Sequence, residues 1–264
     1  MIDNPRSPRV RAVAKLAKRS ARAETGLFLV EGPQAVSEAL AFSAALLVDL
    51  FMTRAALDRY GELARVAAAS GVEAETVTEH VLETMADTVT PQGVVAVCRE
   101  FPVSVDELLA RGAKLVAILD EVRDPGNAGT IIRAADAAGA DGVILTGRSV
   151  DAYNPKVVRS TTGSLFHVAV AQGGTLDDAI AAVKGAGLQV LAADIAGDDL
   201  PTVRDRLAAP TAWLFGNEAH GLTDESLALA DHVVRVPIYG HAESMNLATA
   251  ASVCLYESAF AQRA

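Results

Sequence analysis

Short apolar runs of strand length alternate with helical patterns along almost the whole chain, and this alternation constrains the fold more than any other feature. In the first part the strand candidates are 27–31, 47–53, 73–77 and 93–98, with helix candidates at 32–42, 54–70 and 79–86. In the second part the strands are expected at 114–119, 142–145, 167–170, 188–193, 212–215 and 233–238. Helices are expected at 127–138, 154–161, 176–184, 224–230 and 246–262. Alternation of this kind predicts an α/β protein with a largely parallel sheet.

A chain of 264 residues allows two domains at roughly 150 residues each. The segment 99–105, with Pro102, is the best linker candidate, which gives domains at 1–100 and 106–264. Half of the residues are hydrophobic and 21% are charged, so a sizeable core is available and bulk disorder is excluded. The start, MIDNPRSPRV, lacks the apolar run of a signal peptide, and no run is long enough for a membrane span. Cys98 and Cys254 both fall in apolar patterns and read as core thiols. A cytoplasmic location is the expectation.

The net charge of −10 speaks against a polyanionic partner for the chain as a whole. Its distribution does not. Residues 1–22 carry seven basic side chains against Asp3, a net +6, which leaves −16 for the rest. Arg11, Lys15, Lys18, Arg19 and Arg22 follow helical spacing, with Val13, Leu16 and Ala17 opposite them. One basic amphipathic helix is expected, suited to RNA phosphate, an acidic partner or a membrane surface.

Three strand-end loops carry glycine and polar groups. The first is Asp124–Pro125–Gly126–Asn127, opening a helix whose buried stripe is Ala128, Ile131, Ile132 and Ala135, with Asn127 as N-cap and Arg133 projecting away. The second is Gly216–Asn217–Glu218, where Gly216 permits close backbone approach and Glu218 is an exposed carboxylate. In the third, Ser244 and Asn246 stand where the last helix begins, ahead of a stripe of Leu247, Ala250, Ala251, Cys254 and Leu255. Each loop alone reads equally well as a turn and a cap. Together they mark a ligand site beyond the carboxyl ends of the strands of an α/β sheet.

Familiar alternatives fail. No G-x-G-x-x-G follows a strand, and Gly185 and Gly187 lie between a helix and a strand in the wrong order. Walker A, G-x-S-x-G and H-E-x-x-H are absent, and the five histidines are scattered, so no metal site is expected.

The stretches PGNAGTIIRAADAAGADGVIL, LFGNEAHGL and VPIYGHAESMNLATAA resemble, in order and spacing, the three motifs of the SpoU (TrmH) family of ribose 2′-O-methyltransferases in the SPOUT class. NPKVVRSTTGSLFHV resembles the segment between the first two motifs. FLVEGPQAVSEAL resembles the small substrate-binding module placed ahead of the methyltransferase, which is similar to ribosomal proteins that bind kinked RNA. The layout resembles that of the 23S rRNA methyltransferases of the thiostrepton-resistance type.

The resemblance implies S-adenosylmethionine as methyl donor, a homodimer, and a mostly parallel sheet ending in a deep trefoil knot, preceded by a small α/β RNA-binding domain. It implies cofactor contacts at Gly216, Val236 and Met245, with Leu214, Ile238, Gly163 and Ala193 in a second rank. The family motif carries Leu where this chain has Met245, a change that a backbone contact tolerates. Arg133 is the residue implied to act on the ribose hydroxyl. An arginine is almost never neutral, so positioning the hydroxyl or its neighbouring phosphate is the chemically simpler role. Asn127, Glu218 and Asn246 are then expected to hold Arg133 and the sugar, with Ser244 shaping the loop. RNA contacts are expected from Arg9, Arg11, Lys15, Lys18, Arg19, Arg22 and Arg159. Large-subunit rRNA is the expected substrate; transfer RNA, or an assembly role without catalysis, is the alternative.

Overall fold

The structure is a computed structural model and describes residues 1–264. It divides into two compact units, Met1–Phe101 with Tyr153–His167, and Pro102–Ala152 with Val168–Ala264.

The first unit begins with α1 (Pro8–Lys15) and α2 (Arg19–Thr25), followed by β1 (Leu27–Glu31), α3 (Pro33–Ser43), β2 (Leu47–Thr53), α4 (Arg54–Ala69), β3 (Ala74–Val77), α5 (Glu79–Met85) and β4 (Val94–Arg99). The sheet order is β1-β4-β2-β3. β2 and β3 are parallel, whereas β4 runs antiparallel to both of its neighbours, so this sheet is mixed. Apolar patterning locates strands but carries no direction. The single basic helix expected at the N-terminus is two short ones. Ser7 caps the first, its hydroxyl accepting from the Val10 N–H at 3.3 Å. Its apolar side, Val10, Val13 and Leu16, is buried in a core with Phe51, Val81, Leu82 and Met85.

Residues 153–167 join this unit through aromatic packing. Phe28 lies 4.8 Å from Tyr153 between ring centroids, and Phe101 stacks on Phe166 at 5.7 Å. The Tyr153 hydroxyl accepts the Phe101 N–H at 2.9 Å. The division therefore does not follow a single cut near residue 100. A segment distant in sequence completes the first unit because its aromatics fill that unit's core.

The second unit contains α6 (Val105–Leu109), β5 (Leu115–Asp120), α7 (Pro125–Ala138) and β6 (Gly142–Thr146). After α8 (Pro155–Thr161), which belongs to the first unit, follow β7 (Ala169–Gln172), α9 (Leu176–Gly185), β8 (Gln189–Asp199), β9 (Thr211–Phe215), α10 (Asp224–Ala228), β10 (His232–Arg235) and α11 (Leu247–Gln262). α6 begins at the end of the segment 99–105 expected as the linker, where no helix was expected. Its signal, Ser104 and Glu107 as a reciprocal capping box, was present in the sequence.

All five strand pairings of this sheet are parallel, in the order β10-β8-β9-β5-β6-β7. From β5 the chain builds outward through β6 and β7. It then returns on the other side, where β9 fills the place between β5 and β8. Ile118, Ile144, Val190, Ala192, Ala212 and Leu214 form the centre of the core. α11 packs on α7 and on β9, and the fully buried Trp213 donates its indole N–H to Ser258 Oγ at 2.9 Å. Both cysteines are free and buried, and burial pushes each thiol up to about 12. No helix is long and apolar enough to cross a membrane.

Candidate active site

Asp124, not Asn127, caps α7: its Oδ1 accepts the Asn127 N–H at 2.8 Å. Asn127 sits one turn inside, and its side chain is released for other bonds. The Asn127 amide donates to Glu218 Oε1 at 3.3 Å and its carbonyl accepts from Asn246 Nδ2 at 2.9 Å. Asn246 is the N-cap of α11, its Oδ1 accepting the N–H groups of Ala248 and Thr249 at 2.9 and 3.2 Å. Glu218 also accepts the backbone N–H of Arg123 (3.2 Å) and Asp124 (3.0 Å). One chain of hydrogen bonds thus joins all three loops and brings the N-termini of two long helices together. Helix N-termini favour negative charge, which stabilises the Glu218 carboxylate where it stands.

The loop after β9 is closed on itself. Asn217 and Gly221 exchange backbone bonds of 3.1 and 2.8 Å, and Asn217 Nδ2 donates to the Glu121 carbonyl at 2.8 Å. Gly216 is required by this closure. A Cβ there would lie 2.5 Å from the Gly221 carbonyl and 2.7 Å from the Leu222 nitrogen. The close backbone approach that Gly216 permits is made here with the protein's own loop. Glu121 takes a left-handed conformation (φ 54°) at the end of β5. The Arg123 guanidinium, then the Arg148 N–H, hold its carboxyl below the usual carboxylate range.

Beyond the carboxyl ends of β8, β9 and β10 lies a pocket of about 440 Å³. Asn127, Glu218, Ser244 and Asn246 line it, as do Ala193, Val236, Ile238 and Met245. Two other hollows, about 300 and 570 Å³, lie in the first unit and contain none of the three motif loops. The remaining pocket wall includes Asn217 of the second loop, and also Asp194, Ile195 and Arg235, which sequence reasoning did not single out. The strand expected at β8 stops at Ala193, and the glycine and carboxylates that follow, Gly197, Asp198 and Asp199, were not read as a strand-end loop.

Four expected residues are elsewhere. Leu214 is fully buried in the core at the centre of β9. Gly216 is buried under its own loop. Gly163 belongs to the first unit, at φ 104° and packed against the Glu38 side chain, so it lines no part of this pocket. Arg133 is exposed on α7 and is not in the pocket lining.

The basic residues also separate. Arg22 is 1% exposed and donates from Nη1 to the carbonyls of Leu16 (2.9 Å) and Ala17 (3.0 Å), so it cannot reach RNA and instead ends α1. Arg9 pairs with Asp49 at 2.5 Å and with Glu75, and lies over the Phe51 ring. Arg159 bonds Glu31 at 3.1 Å and Asp87 at 2.8 Å. Glu31 is buried, and also accepts the N–H groups of Asp87 and Thr88, both at 3.1 Å. Arg11, Lys15, Lys18 and Arg19 remain exposed. No group of three or more His, Cys, Asp or Glu is arranged to hold a metal ion.

Residues 114–256 match the SpoU rRNA methylase family, and residues 7–96 match the MRM3-like substrate binding domain. The chain belongs to the SpoU rRNA methylase family. It is similar to the 23S rRNA (guanosine(2553)-2′-O)-methyltransferase RlmP of Bacillus subtilis, 33% identical over 97% of each chain. It is also 34% identical to the 23S rRNA (uridine(2479)-2′-O)-methyltransferase of Streptomyces viridochromogenes, over 93% of this chain and 86% of that one. Among solved structures it resembles an AdoMet-bound rRNA methyltransferase from Sinorhizobium meliloti (TM-score 0.83, 32% identity, 97% and 96% covered). It resembles equally the SpoU methyltransferase AviRb of Streptomyces viridochromogenes in complex with AdoMet (TM-score 0.82, 32% identity, 97% and 99% covered). The matched range of this SpoU chain spans the three loops joined by Glu218, Asn127 and Asn246.

Proposed function

We propose that this chain is a cytoplasmic S-adenosylmethionine-dependent methyltransferase acting on a ribose 2′-hydroxyl of 23S rRNA. The observation that carries the reading is the convergence of Asn127, Glu218 and Asn246 at one pocket beyond the strand ends. That pocket is of ordinary small-molecule size. Its wall suits the donor: apolar side chains of Ile195, Val236, Ile238 and Met245 for a purine and a thioether-like chain, with carboxylate and amide groups for the polar ends.

The pocket lined by Val236, Ile238, Met245, Asn127 and Asn246 would hold the donor, which would supply an electrophilic methyl group on its sulfonium for the ribose oxygen, the hydroxyl proton passing to solvent. What the protein must add is alignment and charge management. Asn127 and Asn246 fix the two helix ends that bound the pocket, and Glu218 locks the loop between β5 and α7. Arg133 is the residue we assign to positioning the hydroxyl or its adjoining phosphate. It does not line its own chain's pocket, and a homodimer, with α7 of one copy facing the pocket of the other, accounts for that separation. A deep trefoil knot is part of the same reading. It is supported by the docking of the last helix, whose end bonds Lys114 and Ala209 through Gln262 and Ala138 and Gly139 through Arg263. The first unit, matched to a substrate-binding domain, is assigned to the RNA, with Arg11, Lys15, Lys18 and Arg19 as its free-standing basic surface.

Incubation with 23S rRNA and methyl-labelled donor tests this. The expected result is label in a phosphodiester that resists alkaline hydrolysis. Label only in base-methylated nucleosides overturns the reaction, and label in transfer RNA but not in 23S rRNA overturns the substrate.

A further inference from the structure

The charged groups of the pocket do not balance. Arg235 lines it, but its Nε donates to Asp199 Oδ1 at 2.6 Å, which matches its charge. Glu218 is occupied by the N–H groups of Arg123, Asp124 and the Asn127 amide. Asp194 differs from both. Its Oδ1 accepts only the N–H of Ala196, two residues on, at 2.9 Å, and no arginine, lysine or histidine pairs with the carboxylate. It is half-buried in the pocket wall.

The position of Asp194 is built, not incidental. β10 pairs Val233 with Ala192 but Val234 with Asp198, so residues 193–197 leave the ladder between those two pairs. Gly197 returns the chain against the Val233–Val234 peptide, where any Cβ would collide with backbone. This excursion places Asp194 at the pocket, near Gly221 of the motif loop after β9.

We propose that Asp194 makes the pocket discriminate in favour of the cationic methyl donor and against the spent product. The inference rests on the donor reading above and goes beyond it by assigning charge selection to one residue. S-Adenosylmethionine carries one more positive charge than S-adenosylhomocysteine, because transfer of the methyl group converts a sulfonium into a neutral thioether. An unpaired carboxylate in a partly desolvated wall attracts that extra charge more strongly than bulk water screens it. The same carboxylate contributes less to holding the product, so methyl transfer itself weakens the complex.

The test is calorimetric titration of the full chain, wild type and Asp194→Asn, with three ligands. These are S-adenosylmethionine, S-adenosylhomocysteine, and the analogue in which a protonated amine on carbon replaces the methylated sulfur. Asparagine keeps an oxygen for the Ala196 N–H and removes only the charge. The two cationic ligands should weaken about fivefold to tenfold in the variant and the homocysteine form less than about twofold. Retained homocysteine binding shows that the variant is folded. Equal weakening of all three ligands overturns the proposal in favour of a plain hydrogen-bonding or structural role. Unchanged affinities overturn it outright. Failure of the wild type to bind any of the three is a separate outcome, which removes the donor reading itself.

Discussion

The pocket of the second unit and the basic N-terminus of the first make opposite use of their polar residues. Asn127 lies 91 residues from Glu218 and 119 from Asn246, yet the three join in one hydrogen-bond chain. Arg9, Arg11, Lys15, Lys18, Arg19 and Arg22 lie within one short segment, yet they go to three different tasks. Arg22 is buried against carbonyls, Arg9 is paired with two carboxylates, and the others face solvent. The difference teaches that a polar residue fixed by motif position is a better guide to a site than one fixed by charge density. A motif specifies partners on other loops. A run of basic residues specifies only that something nearby must be solvated, paired or capped.

The largest effect expected from breaking this comparison is at Arg133. Arg133→Ala should lower turnover by about a thousandfold while leaving donor affinity within about twofold, as expected for a group acting on the transition state alone. Single-turnover methylation with parallel calorimetry checks this, and near-normal turnover would remove Arg133 from the chemistry. Next is Arg22→Ala, which leaves the Leu16 and Ala17 carbonyls without their donor and opens a cavity in the first unit. A loss of about 3 kcal/mol is expected in urea unfolding, far more than a surface arginine can give. Gly216→Ala follows, at about 2 kcal/mol, because the new methyl group meets backbone at Gly221 and Leu222 that cannot move independently. Its melting temperature should fall, and donor binding should weaken with it.

Smaller effects sharpen the contrast. Asn127→Ala removes the link between two helix ends, with about 1–2 kcal/mol of destabilisation expected. A double-mutant cycle with Asn246→Ala should show the two losses to be non-additive; additivity would mean that the chain of bonds is not a unit. Arg11→Ala and Lys15→Ala should leave stability within about 0.5 kcal/mol and each reduce the salt slope of rRNA binding by about one. An unchanged slope for both would show that the exposed basic surface does not meet phosphate.

Much of the site was legible because each motif loop has a local physical reason. A strand ends, a glycine permits a turn, and a cap begins a helix. These rules placed Asn127, Glu218, Ser244 and Asn246 at the mouth of one pocket. They misplaced the cap of α7, since Asp124 and Asn127 are both good caps and only the backbone decides between them. They could not find Asp194, because the expected strand stops at Ala193 and the register shift that carries residues 193–197 out of the ladder leaves no mark in the apolar pattern. They also could not foresee that Gly163 and Arg159 would serve the first unit. That follows from Phe28, Phe101, Tyr153 and Phe166 meeting, a contact between residues far apart in sequence.

What the sequence determined by itself was the α/β class, nearly every strand and helix, and the three glycine-and-polar loops at the strand ends. These are consequences of short-range periodicity, turn chemistry and capping, which act within a few residues. Only the tertiary structure decided that β4 runs antiparallel, that residues 153–167 complete the first unit, that Arg22 is a core residue, and that Asp194 lines the pocket without a cation beside it. Those outcomes depend on which distant surfaces bury one another, and periodicity along the chain marks a buried face without naming what it is buried against.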